Sequence, residues 1–147
     1  MGLTLEVILF ALLVLVLNVM DSVTTSLCFR QYPDKELKGE GNPIMRWLML
    51  KNKALSEVFK QGFILGFVVW WLLGNQLETL RLATIMFGLV VLNNSYIVVS
   101  RAIVKRETVT PLKKIRMLFH VPDKYSYMLA LTIILWISIM IYWLVWG

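Results

Sequence analysis

"VILFALLVLVLNVMDSVTT", Val7 to Thr25, joins eleven consecutive apolar residues to a short polar run that contains an aspartate. An apolar run of this kind needs either lipid or a large protein core around it. The chain has 147 residues, of which 59% are hydrophobic and 16% charged, and its mean hydropathy is +0.72. A soluble domain of that length cannot hide so much apolar surface, and its charged share sits well below the usual quarter. The composition therefore predicts an all-α integral membrane protein of one domain, spanning residues 1–147.

Working outward from this stretch, four apolar segments are long enough to cross a ~30 Å hydrocarbon core, which takes ~20 helical residues. They cover approximately 3–27, 55–73, 79–100 and 125–146. No segments alternate with a strand period, which argues against a β-barrel. The first segment is expected to be retained rather than cleaved as a leader, because "MGLTLE" before it carries no Lys or Arg.

Basic residues set the expected orientation. Arg30, Lys35, Lys38, Arg46, Lys51 and Lys53 lie in or beside the first connection. Arg101, Lys105, Arg106, Lys113, Lys114, Arg116 and Lys124 lie in or beside the third. Only Arg81 falls near the second. Positive charge stays on the cytoplasmic side, so both termini are expected outside a multi-pass protein of the cell membrane. Aromatic anchors agree, with Trp70, Trp71, Trp143 and Trp146 at outer ends and Tyr125 and Tyr127 at an inner end. The net charge of +6 is thereby explained without nucleic acid.

Both cytoplasmic connections carry helix-start signals. Asn42 precedes Pro43, and Thr110 precedes Pro111. Such pairs suit an N-cap followed by a first helical position, where proline's missing N–H costs nothing. The first short helix would offer Ile44, Trp47, Leu48 and Leu50 to the interface. The second would offer Leu112, Ile115, Leu118 and Phe119, with Lys113, Lys114 and Arg116 towards anionic lipid headgroups. The predicted architecture is thus a four-helix bundle with two short interfacial helices.

A carboxylate within a membrane helix costs ~2.5–3.5 kcal/mol near its centre, so Asp21 should face protein and have a partner. At 100° per residue, Asn18, Asp21, Ser22 and Thr25 share one arc of the first span. Lys60 enters from the same side on the second span, and Asn93, Asn94 and Ser95 reach a similar depth on the third. Asp21 and Lys60 are expected to pair. Asp21, Glu40, Asn42 and one or both asparagines also form a set of hard oxygen ligands, suited to a divalent cation. Against that, Glu40 can simply be solvated, Asn42 a cap, and the asparagines interhelical glue.

Elsewhere the chemistry thins out. Gly62 and Gly66 form a GxxxG on the second span, on roughly the opposite face from Lys60, and would let another helix approach closely. That helix could belong to this chain or to another. Cys28 is the lone cysteine, which excludes an internal disulfide and a thiolate cluster. His120 and Asp123 are a weak metal pair. No nucleophile–base arrangement and no phosphate-cradling loop is visible, so no catalytic residue is assigned.

The pattern of Asp21 and Thr25, then Glu40-x-Asn42-Pro43, then Phe59 and Lys60 resembles a family of small bacterial and archaeal membrane proteins classed as a domain of unknown function. The resemblance covers about the first hundred residues. It implies a helical membrane protein and assigns no activity, substrate or cofactor.

Three function classes follow. The favoured one is a non-enzymatic accessory or scaffold protein, forming a homo-oligomer or joining a larger membrane complex. The second is a binding or transport module holding a cation or small solute at the Asp21 cluster. The third is a metal-dependent intramembrane enzyme acting on lipid headgroups through Asp21 and Glu40.

Overall fold

The computed structural model describes residues 4–31, 42–105, 111–122 and 125–147, and the described residues are helical with short turns. Among them six helices follow in order: α1 Leu5–Gln31, α2 Pro43–Lys51, α3 Lys53–Leu73, α4 Leu77–Val104, α5 Pro111–Leu118 and α6 Ser126–Trp146. Of these, α1, α3, α4 and most of α6 are long and apolar enough to cross a membrane. This is the expected all-α bundle.

The helices outrun the apolar segments. α1 has 27 residues and α4 has 28, or about 40 Å each at 1.5 Å per residue. α1 continues through Arg30 to Gln31, and α4 through Arg101 to Val104. Nothing in those polar turns breaks a helix, so hydrophobicity ends before hydrogen bonding does. α4 stops at Lys105, whose φ of 52° is left-handed.

α2 starts as expected. The Asn42 side chain accepts from the backbone N–H of Ile44 at 3.0 Å and of Met45 at 3.3 Å, with Pro43 in the first turn. One residue separates α2 from α3. Asn52, extended at φ −160°, closes α2 through its own N–H and caps α3 by accepting from Leu55 N at 3.1 Å. Between α3 and α4 the chain turns within Gly74–Gln76, with Asn75 taking the left-handed φ of 49°.

α1 packs most extensively on α4 and also meets α3, while α6 docks on α4. Hydrogen-bond partners give the directions. Glu6 meets Arg81, Asp21 meets Asn94 and Cys28 meets Arg101, so α1 and α4 run parallel. Asn18 meets Gln61 and Asp21 meets Lys60, so α3 runs antiparallel to α1.

The core is small and lies towards the end where α1 begins. Val7, Ala11, Val14, Val68, Leu80 and Ala83 are buried together, with Phe10, Ile64, Trp71 and Phe87 packed around them. Meanwhile Leu12, Val16, Val19, Phe63, Trp70, Trp136 and Met140 are exposed, and Asn18, Ser56 and Ser138 are fully buried. Large apolar side chains outside, with an amide and two hydroxyls inside, suit lipid as the surrounding solvent. Trp71, expected as an interfacial anchor, instead packs against the core.

A polar cluster inside the bundle

Asp21 sits in the half of α1 nearer Gln31, on the helix face turned towards both α3 and α4. Lys60 on α3 donates to its Oδ2 at 2.6 Å and to Ser22 Oγ at 3.0 Å. From α4, Asn94 Nδ2 donates to Asp21 Oδ1 at 2.8 Å and to Thr25 Oγ1 at 3.2 Å. Thr25, one turn beyond Asp21, donates to the same Oδ1 at 3.4 Å. Both oxygens of the carboxylate are thus engaged, by a cation on one side and neutral donors on the other. The Asp21 and Lys60 side chains are 14% and 18% exposed, so the ion pair is largely withdrawn from solvent.

The cluster extends in both directions along α1. Gln61 Nε2 donates to Ser22 Oγ at 3.1 Å and, one turn before Asp21, Asn18 Nδ2 donates to Gln61 Oε1 at 2.6 Å. Further along, Arg101 Nη1 donates to the Cys28 carbonyl at 3.1 Å and Gln31 Nε2 to the Val98 carbonyl at 3.1 Å. A ladder of polar contacts therefore ties α1 to both neighbours, from near the helix midpoint to its end. In low dielectric such bonds hold best when every member is satisfied.

The sequence-derived candidates do not all converge. Asp21, Thr25, Lys60 and Asn94 meet. Among the described residues Asn93 reaches only Asn94 Oδ1, at 3.4 Å. The Oδ1 of Asn42 is occupied with two backbone N–H groups at the start of α2. Glu40 lies outside the described residues, as do Thr110 and Asp123; among the described residues no three of the His, Cys, Asp and Glu side chains gather as a metal site. Among the described residues Gly62 and Gly66 face open space, with no atom beyond their own helix turn within 4 Å of where a Cβ would stand. Lys114 is exposed, whereas the side chains of Leu112, Lys113 and Arg116 lie outside the described set. His120, at φ 53°, ends α5 and is exposed.

Sequence reasoning missed Gln61, which completes the α1–α3 ladder. Its signal was its place beside Lys60, against a polar arc on α1 that had more members than Lys60 could serve. It also missed a second constellation at the other end of the bundle. There Arg81 of α4 donates to Glu6 of α1, and to Glu78 one turn back at 3.3 Å. Tyr142 of α6 donates to Glu78. The Arg81 guanidinium lies 5.8 Å from the Phe10 ring and 5.1 Å from the Trp146 ring, and those rings meet edge-on at 6.0 Å. One arginine thereby joins α1, α4 and α6, and the fourth span is docked through it.

The chain matches the family model described as a domain of unknown function (DUF5658) over residues 12–100. It belongs to that family. The matched span holds Asn18, Asp21, Ser22, Thr25, Lys60, Gln61 and Asn94 and stops before α5 and α6. No curated protein and no solved structure matches the chain.

Proposed function

We propose that this family member is a small non-enzymatic membrane scaffold that assembles with its own copies through one face of α3. The observation that carries the reading is the contrast between the two faces of that helix. Lys60, Gln61, Ile64, Val68 and Trp71 turn towards the bundle. Gly62 and Gly66 open outward beside exposed Phe63 and Trp70. Along that outward face Phe59, Phe63, Phe67 and Trp70 form a continuous aromatic ridge, with successive ring centroids 6.1, 4.8 and 6.0 Å apart. A groove at the glycines and a ridge beside it on one surface are self-complementary, which is what a two-fold contact requires. In lipid, helices associate through such close van der Waals packing, and small residues permit the approach.

The Asp21 cluster supports the same reading over a solute or metal site. Its carboxylate is neutralised by Lys60 and hydrogen-bonded by Asn94, so its acceptor capacity serves the chain itself. Bundle glue is the simplest role for it. We further propose that α2 and α5 lie on the cytoplasmic surface against anionic headgroups, with both termini outside. Ile44, Trp47 and Leu50 of α2 are exposed, and Lys51 stands 4.0 Å over the Trp47 ring. Beside exposed Lys114 of α5, Met117, Leu118 and Phe119 are exposed too. That mixture of cations and apolar side chains suits the interface.

Cysteine crosslinking tests the assembly. In a Cys28→Ser background, Gly66→Cys should form disulfide-linked dimers in native membranes under mild oxidation. Leu12→Cys, on an exposed part of α1, should not. Equal crosslinking from both positions, or none from position 66, would remove α3 as the contact.

A further inference from the structure

The end of the bundle away from the Asp21 cluster has a groove between α4 and α6. It is open to the surroundings, offers about 320 Å³ and is lined by Glu78, Thr79, Leu82, Ile139, Tyr142 and Trp143. That volume falls at the lower end of small-molecule sites, which run from ~300 to ~1,000 Å³. The lining is graded. Glu78 and Leu82 are one turn apart on α4, as are Trp143 and Ile139 on α6. Carboxylate, hydroxyls and indole therefore sit at the mouth, and aliphatic side chains one turn deeper.

Charge identifies the occupant. Glu78 accepts from Arg81 at Oε1 and from the Tyr142 hydroxyl at Oε2, but each oxygen keeps a second lone pair, and Arg81 is shared with Glu6, which leaves one negative charge in excess among the described residues here. Arg81 is 15% exposed and Glu78 is 63% exposed, so the surplus lies at the groove mouth. Beside it the Trp143 ring is 67% exposed. A carboxylate and an aromatic face at one opening attract a cation, and the aliphatic floor attracts an acyl chain.

We infer that the α4–α6 groove binds a membrane lipid with a primary ammonium headgroup, of the phosphatidylethanolamine class. The ammonium sits at Glu78 and Trp143, and the upper acyl chain lies against Leu82 and Ile139. This site is independent of the α3 contact and lies at the opposite end of the bundle from the basic connections. A net negative mouth disfavours phosphatidylglycerol there.

The test is native mass spectrometry of delipidated full-length protein titrated with phosphatidylethanolamine, phosphatidylglycerol or soluble glycerophosphoethanolamine. Lipid is counted on the single-chain species, so the outcome does not depend on assembly. Glu78→Gln should weaken phosphatidylethanolamine binding about two- to fivefold, the worth of one partly exposed cation contact, and leave phosphatidylglycerol binding unchanged. Ile139→Trp, which fills the floor without touching the carboxylate, should weaken phosphatidylethanolamine binding as well. Unaltered phosphatidylethanolamine binding in either variant would overturn the inference. So would equal losses for both lipids in Glu78→Gln, or binding of glycerophosphoethanolamine as tight as that of the lipid, which would make the site one for a free ammonium.

Discussion

Replacing Asp21 by Asn keeps the shape of the side chain and one acceptor for Asn94, but it removes the counter-charge of Lys60. Lys60 would retain only its 3.0 Å contact to Ser22 Oγ. Breaking a fully buried ion pair costs ~3–5 kcal/mol, and an exposed pair is worth ~0.2–1 kcal/mol. With side chains 14% and 18% exposed, this pair lies nearer the buried limit. Polar bonds between membrane helices, however, average only ~0.6 kcal/mol, because the unfolded helices find other partners in the bilayer. Balancing these, Asp21→Asn should cost about 2–3 kcal/mol. Lys60→Met should cost less, since Asp21 keeps Asn94 and Thr25 as donors. The double replacement should recover about 1–2 kcal/mol of the summed losses, because no lone charge is then left among the helices. Equilibrium unfolding in mixed micelles, followed by far-ultraviolet circular dichroism, gives all four stabilities. Strictly additive losses would refute the reasoning, since the two charges would then act independently despite standing 2.6 Å apart.

Four further outcomes follow from the same contacts. Asn94→Leu removes the donor that joins α4 to both Asp21 and Thr25, and should lower stability by about 1–2 kcal/mol in the same unfolding assay. Arg81→Met cuts the junction of α1, α4 and α6 and should lower the thermal midpoint by about 2–4 °C, with Tyr142→Phe having a smaller effect. A peptide of residues 108–122 should gain helicity on anionic vesicles and lose it at high salt, at roughly 1 kcal/mol per basic residue near the surface; spectra that ignore the vesicles would remove the interfacial role of α5. In a Cys28→Ser background, Lys114→Cys should resist impermeant thiol reagent in intact cells while Asn75→Cys is labelled, and the reverse pattern would invert the topology.

The first span and its buried charge were legible because the bilayer makes polarity conspicuous. Asp21 interrupts an apolar run, and a membrane helix that carries a charge must turn it towards a partner. Helical rise, counted from the span ends, then placed Lys60 and the Asn93–Asn94 pair at its level, and Lys60 and Asn94 touch it. Asn42 was legible as a cap from Pro43 alone. The Arg81 junction was not, because Glu6, Glu78 and Arg81 each stand near the end of a span, where a charge needs no partner to be tolerated. Only the parallel register of α1 on α4 brings Glu6 to Arg81, and a single sequence does not print register. Asn52 escaped for a related reason. Its one side chain caps α3 while its backbone closes α2, so no turn-forming stretch marks the junction. Gly62 and Gly66 were visible as a motif, but that no helix of the described chain covers them emerges only from the packing.

The central claim, a scaffold that assembles through the outward face of α3, is tested most directly by native mass measurement. The protein is extracted with its surrounding lipid, and its mass is compared with that of Gly66→Leu. A Cβ added at Gly66 meets nothing among the described residues, so the fold should survive the change, and even gain from the better helix former. Particles containing whole multiples of the 17.1 kDa chain are expected for the unaltered protein, and single chains for the variant. Single chains from both, or multiples that Gly66→Leu leaves intact, would contradict the claim.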